Sequence, residues 1–246
     1  MDVSAAMSAF GVLCGMTVPM LCLPTAFIGA LGLVLVPKLS QSVALGRIDE
    51  VRRRIHKSLL ATSVLTMPAL AILVVLGPTI GVFLFREPTV GDYMVPLSVG
   101  VLLSCYQSVL SGALNGIGRQ AAAARTSLIC GAVQLGCTWV FMGLPGVGLG
   151  GYVAGFVLSS TLGVLLNYLE IARRTALKPR LFQWCTAPVL AALLMGLVIN
   201  LLFRVLRDAG MGGAAACLAC IAFGGVLYLA ALSAQGVRPS QLFRLK

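Results

Sequence analysis

Charge is scarce in this chain. Only 10% of its 246 residues are Asp, Glu, Lys or Arg, against roughly 25% in an average soluble domain. The stretches 3–37, 58–85, 93–118, 126–169, 181–203 and 209–237 contain none at all. Each absence excludes something. A surface so poor in charge is not a water-facing one, which excludes an ordinary soluble domain. The single histidine, His56, stands in the basic run "RRRIHK" and reads as a solvated side chain, so a His-based triad or dyad is excluded. An intramembrane aspartyl protease needs two acids inside apolar stretches, and a retinal protein needs a lysine there. Lys38, Lys57, Lys178 and Lys246 all lie outside them. No phosphate-binding or dinucleotide fingerprint sits between a strand and a helix, because "GVGLGG" joins two apolar runs. The chain therefore reads as a non-enzyme with no cofactor and no metal site.

What is there is apolar length. Mean hydropathy is +1.00, and each charge-free stretch meets or exceeds the roughly 20 residues that span a hydrocarbon core. The longest is broken by "GLPGVGLGG" (Gly143 to Gly151) and reads as two spans. The fold class predicted is an all-α polytopic membrane bundle of about seven spans, near 9–36, 59–85, 94–115, 124–143, 150–170, 183–203 and 211–234. Asp2 stands where a signal peptide would be basic, and none is expected. Basic residues set the orientation. The segment 37–58 carries Lys38, Arg47, Arg52, Arg53, Arg54 and Lys57. Arg119, Arg125, Arg173, Arg174, Lys178, Arg180, Arg238, Arg244 and Lys246 fall on the same side. Only Arg86, Arg204 and Arg207 fall on the other. This asymmetry predicts an N-terminus outside and a C-terminus in the cytoplasm. The net charge of +11 is then a topology signal and an attraction to membrane lipids, not a nucleic-acid footprint.

Within the spans, the eight cysteines, "CLAC" (Cys217 to Cys220) included, read as small packing residues. Gly11/Gly15, Gly77/Gly81, Gly112/Gly116 and Gly151/Gly155 have the four-residue spacing that brings helix backbones close. Pro24 and Pro68 interrupt the first and second spans and are the candidate bends, and Pro37 reads as a stop. Ile48, Val51, Ile55 and Leu59 recur at helical spacing, predicting a short amphipathic helix on the membrane interface. Asp49–Arg53 and Glu50–Arg54 are its expected ion pairs. The polar side chains left inside the spans are candidates to line a cavity: Tyr106, Gln107, Ser111, Asn115, Gln134, Asn167 and Asn200. Positions 107, 111 and 115 share one helix face. Neutral donors and acceptors of this kind suit sugar hydroxyls, and they equally serve as glue between helices.

Several of these segments together resemble one family. "LCLPTAFIGALGLVLVPKLSQS" (Leu21 to Ser42) carries Pro24-Thr25 mid-helix and closes with Leu35-Val36-Pro37 and Ser40. "SGALNGIGRQ" (Ser111 to Gln120) has the Leu-Asn-Gly-x-Gly-basic end of a later helix, and "GVGLGGYVAGFVLSSTLGVLLNYLEI" looks like a closing helix pair. The chain resembles the C-terminal lobe of polysaccharide and peptidoglycan-precursor flippases of the multidrug/oligosaccharidyl-lipid/polysaccharide exporter superfamily, nearest to its stage V sporulation protein B group. The resemblance implies a multi-pass bacterial plasma-membrane transporter with a lipid-linked glycan substrate. It further implies that residues 1–175 form the lobe bundle and 176–246 two additional helices with a basic tail. Members have two facing lobes, so the expectation is a fragment, or a half-size transporter, completed by a missing N-terminal lobe or a second copy. A cation-coupled multidrug exporter lobe and a non-transporting scaffold in cell-wall assembly are the alternatives.

Overall fold

The computed structural model describes residues 3–86, 88–91, 94–143, 148–176 and 181–235, with backbone only for 3–6, 9, 88 and 181–185. Lys178, Arg180, Arg238, Arg244, Lys246 and the Cys185 side chain lie outside the described residues. Among the described residues eight α-helices follow one another: α1 (Val3–Val12), α2 (Val18–Ala44), α3 (Ile48–Phe85), α4 (Met94–Gly116), α5 (Gln120–Met142), α6 (Gly150–Thr175), α7 (Leu181–Asp208) and α8 (Gly213–Ala234). The described residues include no strand. Helix is the expected outcome in lipid, because only helices and closed barrels satisfy every backbone group without water. Among the described residues, six segments are long and apolar enough to cross a membrane: Phe10–Ala44, α3, α4, α6, Thr186–Asp208 and α8. The span expected near 124–143 is helix α5, whose length suffices; it carries Gln120, Arg125 and Gln134 and falls outside that set. Large apolar side chains face outward, Trp139 being 83% and Leu33 78% exposed, as a lipid solvent allows.

Two expectations about the first connection are corrected. Pro37 does not stop its helix: α2 runs on to Ala44. The proline removes one backbone donor, but the turns beyond it are held by packing. Leu39 is fully buried, and the Ser42 hydroxyl donates to the Lys38 carbonyl at 3.0 Å. The basic segment is accordingly not a loop. Lys38 belongs to α2, and Arg52, Arg53, Arg54 and Lys57 belong to α3; only Leu45, Gly46 and Arg47 leave the helix. Gly46 makes that turn at φ 67°, a left-handed conformation glycine adopts without strain. The amphipathic stretch is the first part of α3 itself. Val51, Ile55 and Leu59 are buried inside the bundle, not laid into the interface. Asp49 pairs with Arg52 at 2.7 Å, not with Arg53, whereas Glu50 pairs with Arg54 at 2.5 Å as expected. His56 is half-buried, not fully solvated.

The one irregular turn near the start is π-helical, Leu13–Thr17 between α1 and α2. It lies just before Pro19, which has no N–H to close an ordinary turn. The Val18 N–H donates to the Leu13 carbonyl, and the buried Thr17 hydroxyl donates to the Val90 carbonyl at 3.2 Å.

Two apolar cores form. The larger gathers Leu21, Ile28 and Leu35 of α2, Val51 and Ile55 of α3, Leu97, Val101 and Leu110 of α4, and Ile171 of α6. The second lies on another face of α3, where Val64 and Leu76 meet Ala191, Met195 and Ile199 of α7 and Cys217, Cys220 and Tyr228 of α8. Small residues allow the closest approaches. A Cβ at Gly116 would stand 2.8 Å from the Leu39 Cβ and one at Gly112 3.7 Å from the Gly32 Cα, so α4 crosses α2 there. A Cβ at Gly151 would stand 2.8 Å from the Met142 nitrogen, which brings α6 onto α5. Gly11 and Gly15 meet nothing within 4 Å.

Pro68 leaves the carbonyl four residues earlier, Val64, without its helical donor. The Tyr228 hydroxyl of α8 donates to that carbonyl at 3.1 Å, in a buried setting. Tyr228→Phe should therefore destabilise the fold by about 1–3 kcal/mol, read as a lower thermal midpoint in detergent. Pro68→Ala restores an N–H for Val64 and should relieve most of that loss in the double variant. An unchanged midpoint for Tyr228→Phe would count against the assignment.

Candidate functional site

The polar residues of the apolar spans sort into three settings. Tyr106, Gln107 and Asn167 come together in the interior. The Tyr106 hydroxyl shares a 2.5 Å hydrogen bond with Ser63 Oγ on α3. Asn167 Nδ2 on α6 donates to the Gln107 main-chain carbonyl at 3.4 Å, and the Gln107 amide lies against Gly163. Asn167 is 1% exposed and its Oδ1 has no hydrogen-bond partner among the described residues. These groups form a neutral seam joining α3, α4 and α6, and their chemistry is interhelical hydrogen bonding. Ser63 and Thr66 were not singled out in the sequence, although "ATSVLT" places hydroxyls one turn apart in an otherwise apolar run.

A second group opens outward. Ser111 is half-buried and Asn115 exposed on α4. Ser104 and Ser108 extend the same stripe at helical spacing, and Ser108 is exposed. The Ser104 hydroxyl donates to the Val101 carbonyl at 2.9 Å, which leaves its acceptor capacity open. The sequence signal was the spacing 104, 108, 111, 115, which continues the 107, 111, 115 pattern on a slightly rotated face. Gln107 itself turns inward. The remaining candidates stand apart. Gln134 is half-buried on α5, and Asn200 is exposed on α7, where its Oδ1 accepts from Arg204 Nε at 3.3 Å. Pro24 is buried within α2, and Pro68 is half-buried within α3.

One end of the bundle is basic. There the α2–α3 turn, the start of α3, the α4–α5 turn and the end of α6 meet. Arg119 directs Nε (3.0 Å) and one terminal nitrogen (2.5 Å) onto Glu170 Oε1, tying the α4–α5 turn to α6. Arg52 Nε donates to the Thr175 carbonyl, so α3 caps the last turn of α6. Arg173 and Arg174 sit in that same turn, where cations complement the helix dipole. Asp49, Glu50 and Glu170 are each engaged by an arginine.

The Arg119–Glu170 pair is a cross-helix contact whose two charges can be exchanged. Arg119→Glu and Glu170→Arg should each lower the thermal midpoint by a few degrees. The double exchange should regain most of that loss, because the geometry survives reversal. Equal stability of all three variants would show that the pair holds nothing.

A family model described as "Lipid II flippase MurJ" matches residues 16–218. No curated protein matches the chain.

Proposed function

The chain belongs to the lipid II flippase MurJ family, and from that premise we propose how it takes part in the transport. It is an integral plasma-membrane protein that serves the movement of lipid-linked peptidoglycan precursors across the bilayer. Our proposal is that the outward stripe of α4, Ser104, Ser108, Ser111 and Asn115, forms part of a cavity wall and hydrogen-bonds the sugar hydroxyls of the precursor. The single observation that carries this is a contrast. The outward faces of the other helices are rich in large apolar side chains; α4 likewise shows Val95 and Val99 near its start, but from Ser104 onward its exposed residues are Ser108 and Asn115, a hydroxyl and an amide. Polar groups at membrane depth are tolerated where they line a polar cavity or meet another protein surface.

In this reading residues 1–175 form a lobe, and α7 and α8 are an appended pair docked on α3. The lobe faces a second one, supplied by further protein or by a second copy. Pro24 and Pro68 are the bends by which α2 and α3 follow a rocking motion. The basic end faces the cytoplasm, in line with the positive-inside rule. The likeness to the stage V sporulation protein B group rests on Pro24-Thr25 and Leu35-Val36-Pro37; the family match supports the peptidoglycan-precursor branch more broadly.

The wall is tested by accessibility. In a background with the native cysteines replaced, Ser108→Cys and Asn115→Cys should react in intact cells with a small hydrophilic maleimide. Leu135→Cys and Trp139→Cys should not. Ser108→Leu combined with Asn115→Leu should cut complementation of a flippase-depleted strain at least about tenfold, equivalent to some 1.4 kcal/mol of lost interaction. Labelling confined to Leu135→Cys and Trp139→Cys would overturn the assignment.

A further inference from the structure

At the basic end, a recess of about 530 Å³ opens at the α2–α3 turn. We propose that it is a binding site for the phosphate-bearing headgroup of an anionic phospholipid. Four cations line it, Arg47, Arg53, Arg54 and Lys57, against two acids, Asp49 and Glu50. Both acids are already engaged: Asp49 by Arg52 at 2.7 Å, Glu50 by Arg54 at 2.5 Å and Arg47 at 3.8 Å. Arg53 and Lys57 have no hydrogen bond or ion pair among the described residues. They are four residues apart on α3, hence on one face. The space beside Gly46 on the rim of the recess is open, since a Cβ there would meet nothing within 4 Å. The recess also sits at the N-terminus of α3, whose dipole favours an anion.

Two further features select a lipid over a soluble anion. Lys57 is the last charge before the uncharged stretch 58–85, which places the recess at the rim of the hydrocarbon. Leu45 (57%) and Ile48 (38%) are exposed beside the cations, an arrangement that admits acyl chains below a headgroup. The site lies on α3 and its preceding turn, apart from the α4 stripe. It requires only that the chain spans a membrane, so it stands or falls separately from the transport reading.

The test uses the purified full chain, titrated with phosphatidylglycerol in neutral detergent micelles and read by native mass spectrometry. Arg53→Gln with Lys57→Gln should weaken binding about thirtyfold, from two cations acting near a membrane surface. Arg173→Gln with Arg174→Gln removes the same charge at the same end and should change it little. Arg53→Lys should retain binding, which checks that loss follows charge and not misfolding. Equal weakening in the two double variants would overturn the proposal in favour of diffuse attraction. So would equal binding of phosphatidylcholine, or displacement by inorganic phosphate at comparable concentration. Displacement by an isoprenyl pyrophosphate would reassign the recess to the transported substrate and overturn it as a phospholipid site.

Discussion

In hydrocarbon a backbone amide has no water to turn to, and each unpaired group costs several kcal/mol. Much of this structure follows from that constraint meeting a sequence with prolines inside its apolar helices. Pro68 orphans the Val64 carbonyl, and a hydroxyl from α8, 164 residues away in sequence, supplies the donor. Pro19 is preceded by a widened turn whose Thr17 hydroxyl reaches the Val90 carbonyl. The first is a repair that joins α3 to α8, and the second is a hydrogen bond beside a proline that ties the start of α2 to Val90. Backbone accounting thus fixes tertiary contacts that apolar burial alone, non-directional and weak between helices in lipid, would leave loose.

Helix α3 bears most of this organisation. Its first turns bury Val51 and Ile55 in the larger core and send Arg52 to cap α6. Its middle carries Ser63 into the polar seam and Val64 into the second core. At 38 residues it is about 57 Å long, well beyond a hydrocarbon core of roughly 30 Å. The excess is the basic extension. The same helix therefore anchors α7 and α8 at one depth and carries a concentration of basic charge at another. A displacement of α3 would be felt in both places.

The helices and their approximate bounds were legible because charge-free length is a strong signal in a membrane protein. The end of α2 was not. Pro37 followed by Lys38 reads as an exit from lipid, and only the burial of Leu39 and Ser42 against neighbours keeps the helix going. That burial depends on Gly116, far along the chain, giving Leu39 room. The Asp49 partner was likewise a matter of competition, since Arg52 and Arg53 are both within reach in sequence. Arg52 is held on the Asp49 side of α3 by its bond to Thr175. Among the polar candidates, composition identified Tyr106 and Asn167 without showing that the first reaches Ser63 on α3 and the second reaches α4. Helical spacing alone cannot say which stripe of α4 faces inward.

That last distinction bears on function. Gln107 and Ser108 are adjacent, yet the first lies against Gly163 and the second is exposed. What turns Gln107 inward is the missing side chain at Gly163, which leaves space for an amide between α4 and α6. A larger residue there would drive the amide out and rotate α4, carrying the hydroxyl stripe with it. The interior seam and the outer stripe are thus two faces of one register. If the proposed wall is right, the neutral contacts that hold α4 in place also determine which of its side chains a passing glycan would meet. Because none of these groups is charged, their interactions with a sugar are individually modest. Weak, multiple contacts are what a transporter wall requires if its cargo must also leave.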